Sequence, residues 1–389
     1  MNDVPCNTVK NNPGENRVEP LFPMISDGAL PSEDSPMHPP RLDQPFVTGS
    51  IDTPVGCVPR VDALWTWRDH WGAVKARWGV GRMHYTVDPG LYVLGNPDEN
   101  SQVLVTANYK MSFDRLRESL SGRSAWLMVL DTAGINVWCA AGKGTFGTTE
   151  LIRRIALTGL AQIVSHRHLI LPQLSGPGVA AHQVKKWSGF TVHYGPIRAS
   201  DLPAYLDAGL KATPEMRLKT FPVRERIALI PIELIASLRA GIPLMLLFFL
   251  LGGIGGSHGY WFNAMHDGLF AVLALLVAIL SGTIMTPVLL RVLPGRAFSI
   301  KGLILGLATF AVLMAFRSLD IASWTGRLEA AAWLFLVPAI TAYLAMNFTG
   351  ASTYTSLSGV KKEMRFAVPA EIGAALIGFV LWLVSRCVA

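Results

Sequence analysis

From Ile242 to its end the chain is dominated by five apolar stretches, Ile242–Ile254, Leu269–Leu290, Leu303–Phe316, Ala330–Met346 and Val368–Val384. With short extensions into their flanks they approach the about 20 apolar residues that a helix needs to cross a bilayer. In hydrocarbon a backbone has to satisfy its own polar groups, so residues 242–389 are expected to form an α-helical transmembrane domain of five spans.

The cations outside these stretches predict an orientation. Lys211, Arg217, Lys219, Arg224 and Arg226 precede the first span, Arg291, Arg296 and Lys301 lie between the second and third, and Lys361, Lys362 and Arg365 between the fourth and fifth. Cation-rich loops stay in the cytoplasm. Gly255–Asp267 carries no Lys or Arg, and Arg317 and Arg327 are offset by Asp320 and Glu329. Alternation predicts a multi-pass protein of the cytoplasmic membrane, with its large N-terminal part inside the cell and its C-terminus outside. Only Arg386 runs against this. The same cations account for most of the net charge of +7, so lipid is the expected polyanionic neighbour and nucleic acid is not.

Residues 1–45 are rich in proline and poor in aromatics and read as a disordered leader. From Phe46 to Pro222 short apolar runs (Tyr92–Leu94, Val103–Thr106, Ala125–Leu130, Gln162–Val164, His168–Leu171, Phe190–Tyr194) alternate with helix-like stretches. That pattern predicts an α/β domain over 46–222, a parallel sheet with helices on both faces. Over 223–241, Ile227, Ile230, Leu234 and Leu238 recur at helical spacing among charges, which predicts an amphipathic linker helix lying on the membrane or buried beneath it. No apolar secretory signal precedes the α/β domain, so its thiols are expected to be reduced.

The chemistry is concentrated in Asn136-Val-Trp-Cys-Ala-Ala-Gly-Lys-Gly-Thr-Phe-Gly147. Cys139 follows an apolar strand and a turn (Asp131, Thr132, Gly134) as a helix begins, the place where α/β sheets hold ligands. A helix start with Lys143 one turn on favours a thiolate, and Ala140, Ala141, Gly142 and Gly144 clear space around it. Three readings remain open: a nucleophile using His166 or His168 as base, a soft-metal ligand, and a buried structural cysteine. Cys6, Cys57, Cys139 and Cys387 are too scattered for a Cys-x-x-Cys site or a ferredoxin cluster.

The segment Gly134–Gly147 resembles the signature of the membrane-bound corrinoid protein of microbial mercury methylation, a family related to the corrinoid iron-sulfur protein of the acetyl-CoA pathway. Val103–Lys110, Tyr194–Asp201 and Asn347–Gly359 resemble further segments of it. The resemblance implies a Rossmann-like corrinoid-binding domain with Cys139 as lower axial ligand to cobalt. Asn136, Val137, Trp138, Ala140, Ala141, Gly142, Lys143 and Gly144 would form the cap beside it. Thr106 and Asn108, just after a strand, are candidates to bond corrinoid amides or are ordinary strand-end caps.

By the same resemblance the activity would be corrinoid-dependent methyl transfer to inorganic mercury. Methyl would come from a methyltetrahydrofolate-dependent system, and cobalt(I) would be regenerated by a small ferredoxin-like partner carrying two 4Fe-4S clusters, since this chain has no cluster motif of its own. The alternatives are a corrinoid methyl carrier for another one-carbon acceptor and a membrane transporter with a regulatory ligand-binding domain. His258, His266, Asp267 and Cys387 are further polar positions near the outer face. Few charges interrupt the spans, which favours anchoring or partner docking over transport.

Overall fold

The computed structural model describes residues 39–255, 258–317, 319–349 and 357–388; most of the expected leader lies outside them. The chain divides into two units, the first running to Ala76 and over Val80–Lys219, the second made of Arg77–Gly79 and the chain from Thr220 onward.

The first unit is built on a seven-stranded sheet, β1 (Val47–Thr53), β2 (Gly56–Val61), β3 (Gly90–Leu94), β4 (Val103–Ala107), β5 (Ala125–Leu130), β6 (His168–Leu171) and β7 (Thr191–Tyr194), in the order β1-β2-β3-β5-β4-β6-β7. Every residue of β3, β4 and β5 is buried, as befits strands covered on both faces. Alternation within them divides the core. Leu91, Val93, Val103, Val105, Trp126, Met128 and Leu130 face one side. Tyr92, Leu94, Leu104, Leu127 and Val129 face the other. On the first side lie α3 (Val137–Lys143), α4 (Thr148–Leu157), α5 (Leu160–Ile163) and α6 (Ala181–Ser188); on the second lie α2 (Lys110–Ser119) and α7 (Leu202–Asp207). An earlier helix, α1 (Trp67–Arg77), precedes β3.

The expected parallel sheet holds for β5-β4-β6-β7. It fails beyond, because β3 runs antiparallel to β5 and β1 and β2 form an antiparallel hairpin, so the sheet is mixed. Gln162–Val164 is the end of a short helix rather than a strand. Cys57 is disulfide-bonded, against the expectation of reduced thiols: pairing depends on which sulfur stands near in space, which spacing along the chain does not reveal.

A closed ring of buried charges fixes α1 to α2. Lys110 Nζ lies 2.7 Å from Asp69 and 2.5 Å from Asp114, and Arg117 lies 2.8 Å from each. Asp69 also completes a capping box with Thr66, accepting its N–H at 2.9 Å and donating its own backbone N–H to the Thr66 hydroxyl at 3.3 Å. Burial pushes the Asp69 carboxyl up, but Lys110, the Thr66 N–H and Arg117 outweigh it and hold the group well below the usual carboxylate range. Removing one member of such a ring strands the others, so Asp69→Asn is expected to cost about 3–5 kcal/mol. With a depressed folded-state pKa, the Asp69 contribution is complete above its unfolded value of about 3.9 and drains away as pH falls below it. Thermal unfolding at neutral pH and down to about pH 3 checks both points, since Asp69→Asn should lose less to acid than the wild type; parallel acid profiles would assign that loss elsewhere.

The second unit contains five helices long and apolar enough to cross a membrane, Val223–Leu251, Tyr260–Leu289, Phe298–Arg317, Trp324–Met346 and Gly359–Cys387. Within the first, a short helix Val223–Ile227 is followed by Ile230–Leu251, which continues through Pro243. The amphipathic stretch therefore runs into the apolar one without forming a separate element. Phe248, Trp333 and Trp382 meet in the bundle core, with Phe248 and Trp382 ring centroids 4.6 Å apart.

Four spans are joined at one end by a second charge ring. Arg317 pairs with Asp267 and, at 3.1 Å, with Glu329, while Arg386 pairs with Asp267 at 2.5 Å and Glu329 at 2.6 Å. The ring is neutral overall, so Arg386 is balanced by acids from two other spans. Glu329→Gln leaves both arginines one partner short. It is expected to destabilise the bundle by about 3–5 kcal/mol, visible as a lower unfolding temperature of the detergent-solubilised chain.

Candidate functional site at the carboxyl edge of the sheet

β5 ends at Leu130, and the chain reaches α3 through the loop 131–136. Asn108, buried just past the end of β4, organises that loop. Its Oδ1 accepts the Thr132 N–H at 3.1 Å, the Thr132 hydroxyl at 2.8 Å and the Gly134 N–H at 3.0 Å. Its Nδ2 donates to Asp131 Oδ1 at 3.2 Å. The Asp131 carboxylate also accepts the Ala133 N–H at 3.0 Å, and the Ile135 carbonyl oxygen, 2.7 Å from the Thr132 hydroxyl, is an alternative acceptor for its one proton. Ala133 and Gly134 both have left-handed backbones, with φ of 53° and 71°. For alanine this conformation costs about 1–2 kcal/mol and persists only where surrounding bonds impose it, as at sites under functional constraint.

This loop sets the start of α3. Asn136 is the N-cap, its Oδ1 accepting the Cys139 N–H at 2.9 Å. On one side of the helix Ala140 and Ala141 are buried, with Val137 packed against the same core. Cys139, Gly142, Lys143 and Gly144 are exposed, and Trp138 is half-buried. The sulfur is a free thiol, so a buried structural role is ruled out. A Cβ added to Gly142 or Gly144 would meet nothing within 4 Å: the surface beside the sulfur is a bare shelf.

The loop after β6 supports the helix from behind. A Cβ on Gly178 would fall 2.3 Å from the Phe146 carbonyl oxygen and 3.0 Å from Ala141 Cα, so only glycine permits this approach. The Gly178 carbonyl accepts the Thr148 N–H at 3.2 Å, and the Thr148 hydroxyl accepts the Ala180 N–H at 2.8 Å. Glu150, early in α4, accepts the Asp131 N–H at 2.9 Å and pairs with Arg154 at 2.7 Å.

The sequence-predicted residues thus assemble at one edge. Asn136 through Gly144 form the cap and shelf around Cys139, Asn108 stands behind the loop, and Thr106 is buried within β4. Asn108 spends both of its polar side-chain atoms on that loop, which makes it a positioning residue. His166 and His168 lie at the amino end of β6, where His168 Nδ1 is 3.0 Å from His193 Nε2. They stand at the opposite edge from Cys139 and do not serve it as a base. Sequence reasoning named Thr132 only as a turn residue and did not single out Thr148, which directly follows Gly147, the only local signal of its anchoring role.

The architecture defines a class, an α/β head that presents one cysteine at the carboxyl edge of its parallel strands, with a set of apolar helices after it in the chain. Residues 81–206 match the family model for the CO dehydrogenase/acetyl-CoA synthase delta subunit. The head is also similar to the acetyl-CoA decarbonylase/synthase complex subunit gamma of Methanocaldococcus jannaschii, 38% identical over 127 residues that cover 32% of this chain and 26% of the relative. The same subunit of Methanopyrus kandleri is 35% identical over 124 residues, covering 31% and 26%. That of Methanothermobacter thermautotrophicus is 33% identical over 128 residues, covering 32% and 28%. The chain spans about a quarter of the length of these relatives. The expected relation to the acetyl-CoA pathway is thereby supported, and it rests on the head alone.

Asn108→Ala would orphan two buried backbone N–H groups, at about 1–3 kcal/mol each, and release the loop that sets α3. In a Cys387→Ser background, alkylation of Cys139 by a soluble maleimide should change several-fold in rate. An unchanged rate would show that the loop holds α3 without Asn108.

Proposed function

We propose that the head is a corrinoid-binding methyl carrier in which Cys139 is the lower axial ligand to cobalt. The observation that carries this reading is an exposed sulfur on a short helix whose outward neighbours, Gly142 and Gly144, leave room for a flat macrocycle. The similarity of residues 81–206 to acetyl-CoA decarbonylase/synthase subunits supports it. A bound corrinoid supplies a cobalt centre able to take up and give away a methyl group. The chain's part is to present the sulfur as a soft donor, to fix its direction through the Asn136 cap, and to brace α3 from behind with Gly178 and Thr148. Lys143 adds positive charge at the rim.

The acceptor we propose is inorganic Hg(II), giving methylmercury. This rests on the resemblance of Gly134–Gly147 to the mercury-methylation signature. Methyl would be delivered by a methyltetrahydrofolate-dependent system, and a small ferredoxin-like protein with two 4Fe-4S clusters would return cobalt to its reactive state. Another one-carbon acceptor is the alternative within the same chemistry. We place the head in the cytoplasm and the C-terminus outside.

The full chain, purified after expression with a corrinoid supply, should show corrinoid absorption bands that shift in Cys139→Ala, and methyl transfer by that variant should fall at least about 100-fold. An unshifted spectrum with full turnover would remove cobalt from Cys139. With donor system, partner and Hg(II) present, methylmercury is the expected product; methyl transfer that spares mercury would move the protein to the alternative acceptor.

A further inference from the structure

Inside the second unit, the first, second, fourth and fifth spans surround a cavity of about 460 Å³. It is of the size that holds small molecules, roughly 300–1,000 Å³. The first span lines it with the small residues Ala236, Ser237 and Ala240, while Gly241 lets that span approach Ile279 of the second closely. The walls are otherwise mainly aliphatic, and Tyr343, Asn347 and Glu371 are the main polar exceptions.

Glu371 sets this cavity apart. The residue is 8% exposed, and neither carboxylate oxygen has a hydrogen-bond partner among the described residues. It lies six residues, about 9 Å of helix rise, beyond Arg365 and within a membrane-spanning helix. Among the described residues no Lys or Arg lines the cavity. An acid in a transmembrane segment is costly and is retained where a partner or a pathway requires it. Glu329, which is buried, and Asp267, which is half-buried, each have two arginines. Glu371 has a cavity instead.

We propose that this cavity binds a lipid-soluble organic monocation, whose charge Glu371 neutralises while its hydrocarbon body occupies the space beside Ala236 and Ala240. The aliphatic walls suit a ligand that arrives from the bilayer. A single acid with no competing cation selects positive charge over negative. The site is independent of the head and of any cofactor there.

The probe is tritiated tetraphenylphosphonium, and the measurement is scintillation proximity on the full chain in lipid nanodiscs. The wild type is expected to bind saturably, near one probe per chain, above empty nanodiscs. Glu371→Gln keeps the shape and removes the charge, and it should weaken binding at least tenfold without altering the elution profile or unfolding temperature. Ala240→Leu keeps the acid and fills the hollow, and it too should weaken binding; it decides the matter should Glu371→Gln fail to fold. Absence of saturable binding by the wild type would overturn the proposal, as would equal binding by either folded variant. Binding lost in both variants while corrinoid absorption is retained would support the site and leave the head's function untouched.

Discussion

The head depends on one side-chain amide. Asn108 sits at the end of a fully buried strand, where a polar group has to be satisfied by protein rather than by water, and it satisfies the first residues of the neighbouring strand's exit loop. A hydrogen bond of this kind contributes only about 0.5–1.5 kcal/mol net. Its leverage is larger, because several N–H and O–H donors lose their acceptor together if it goes. The same contacts hold Ala133 in a left-handed conformation that the residue would otherwise leave. The direction of α3, and hence of Cys139, follows from that clamp together with the close approach of Gly178 on the far side.

Both units handle buried charge alike. In each a four-membered ring gives every carboxylate two cations and every cation two carboxylates, one ring tying α1 to α2 and the other joining four spans. Such rings contribute little relative to a well-packed apolar alternative, but any single deletion is expensive. They therefore define geometry more than they add stability. Glu371 breaks this pattern, and the contrast gives its isolation meaning, since the fold elsewhere shows that it can supply partners to buried acids.

The spans were legible in the sequence because length and composition alone decide them, and β4, β5 and β6 because uninterrupted apolar runs have few other uses in a head of this size. Direction was not legible: Gly90–Leu94 is buried on both faces whichever way it runs, so its antiparallel pairing with β5 leaves no trace in composition. The β1–β2 hairpin escaped notice because β1, Val-Thr-Gly-Ser-Ile-Asp-Thr, lies at the sheet edge and is mostly half-exposed or exposed, lacking the apolar run that marks an inner strand. At the site, Cys139 and its small neighbours stood out because only a presented sulfur explains them together. For Asn108 the sequence leaves both readings open, because an asparagine at a strand end serves a ligand or a loop equally well, and the coordinates show the loop contacts. His166 and His168 were close to Cys139 in number, but parallel strands put the start of β6 and the end of β5 at opposite edges.

The matched segment, residues 81–206, begins after α1 and ends within α7. It contains the clamp, the shelf and the supporting loop, so the parts that present Cys139 fall within the matched range. The hairpin and the five apolar helices lie outside it, and their role has to be argued from their own physics. A unit that served only to tether a head would have no use for a hollow lined by small residues, nor for a buried acid without a hydrogen-bond partner among the described residues. Filling the hollow with leucine and replacing the acid with glutamine would each make a better-packed anchor. That the chain has done neither is the strongest physical ground for reading the membrane unit as a binding element in its own right.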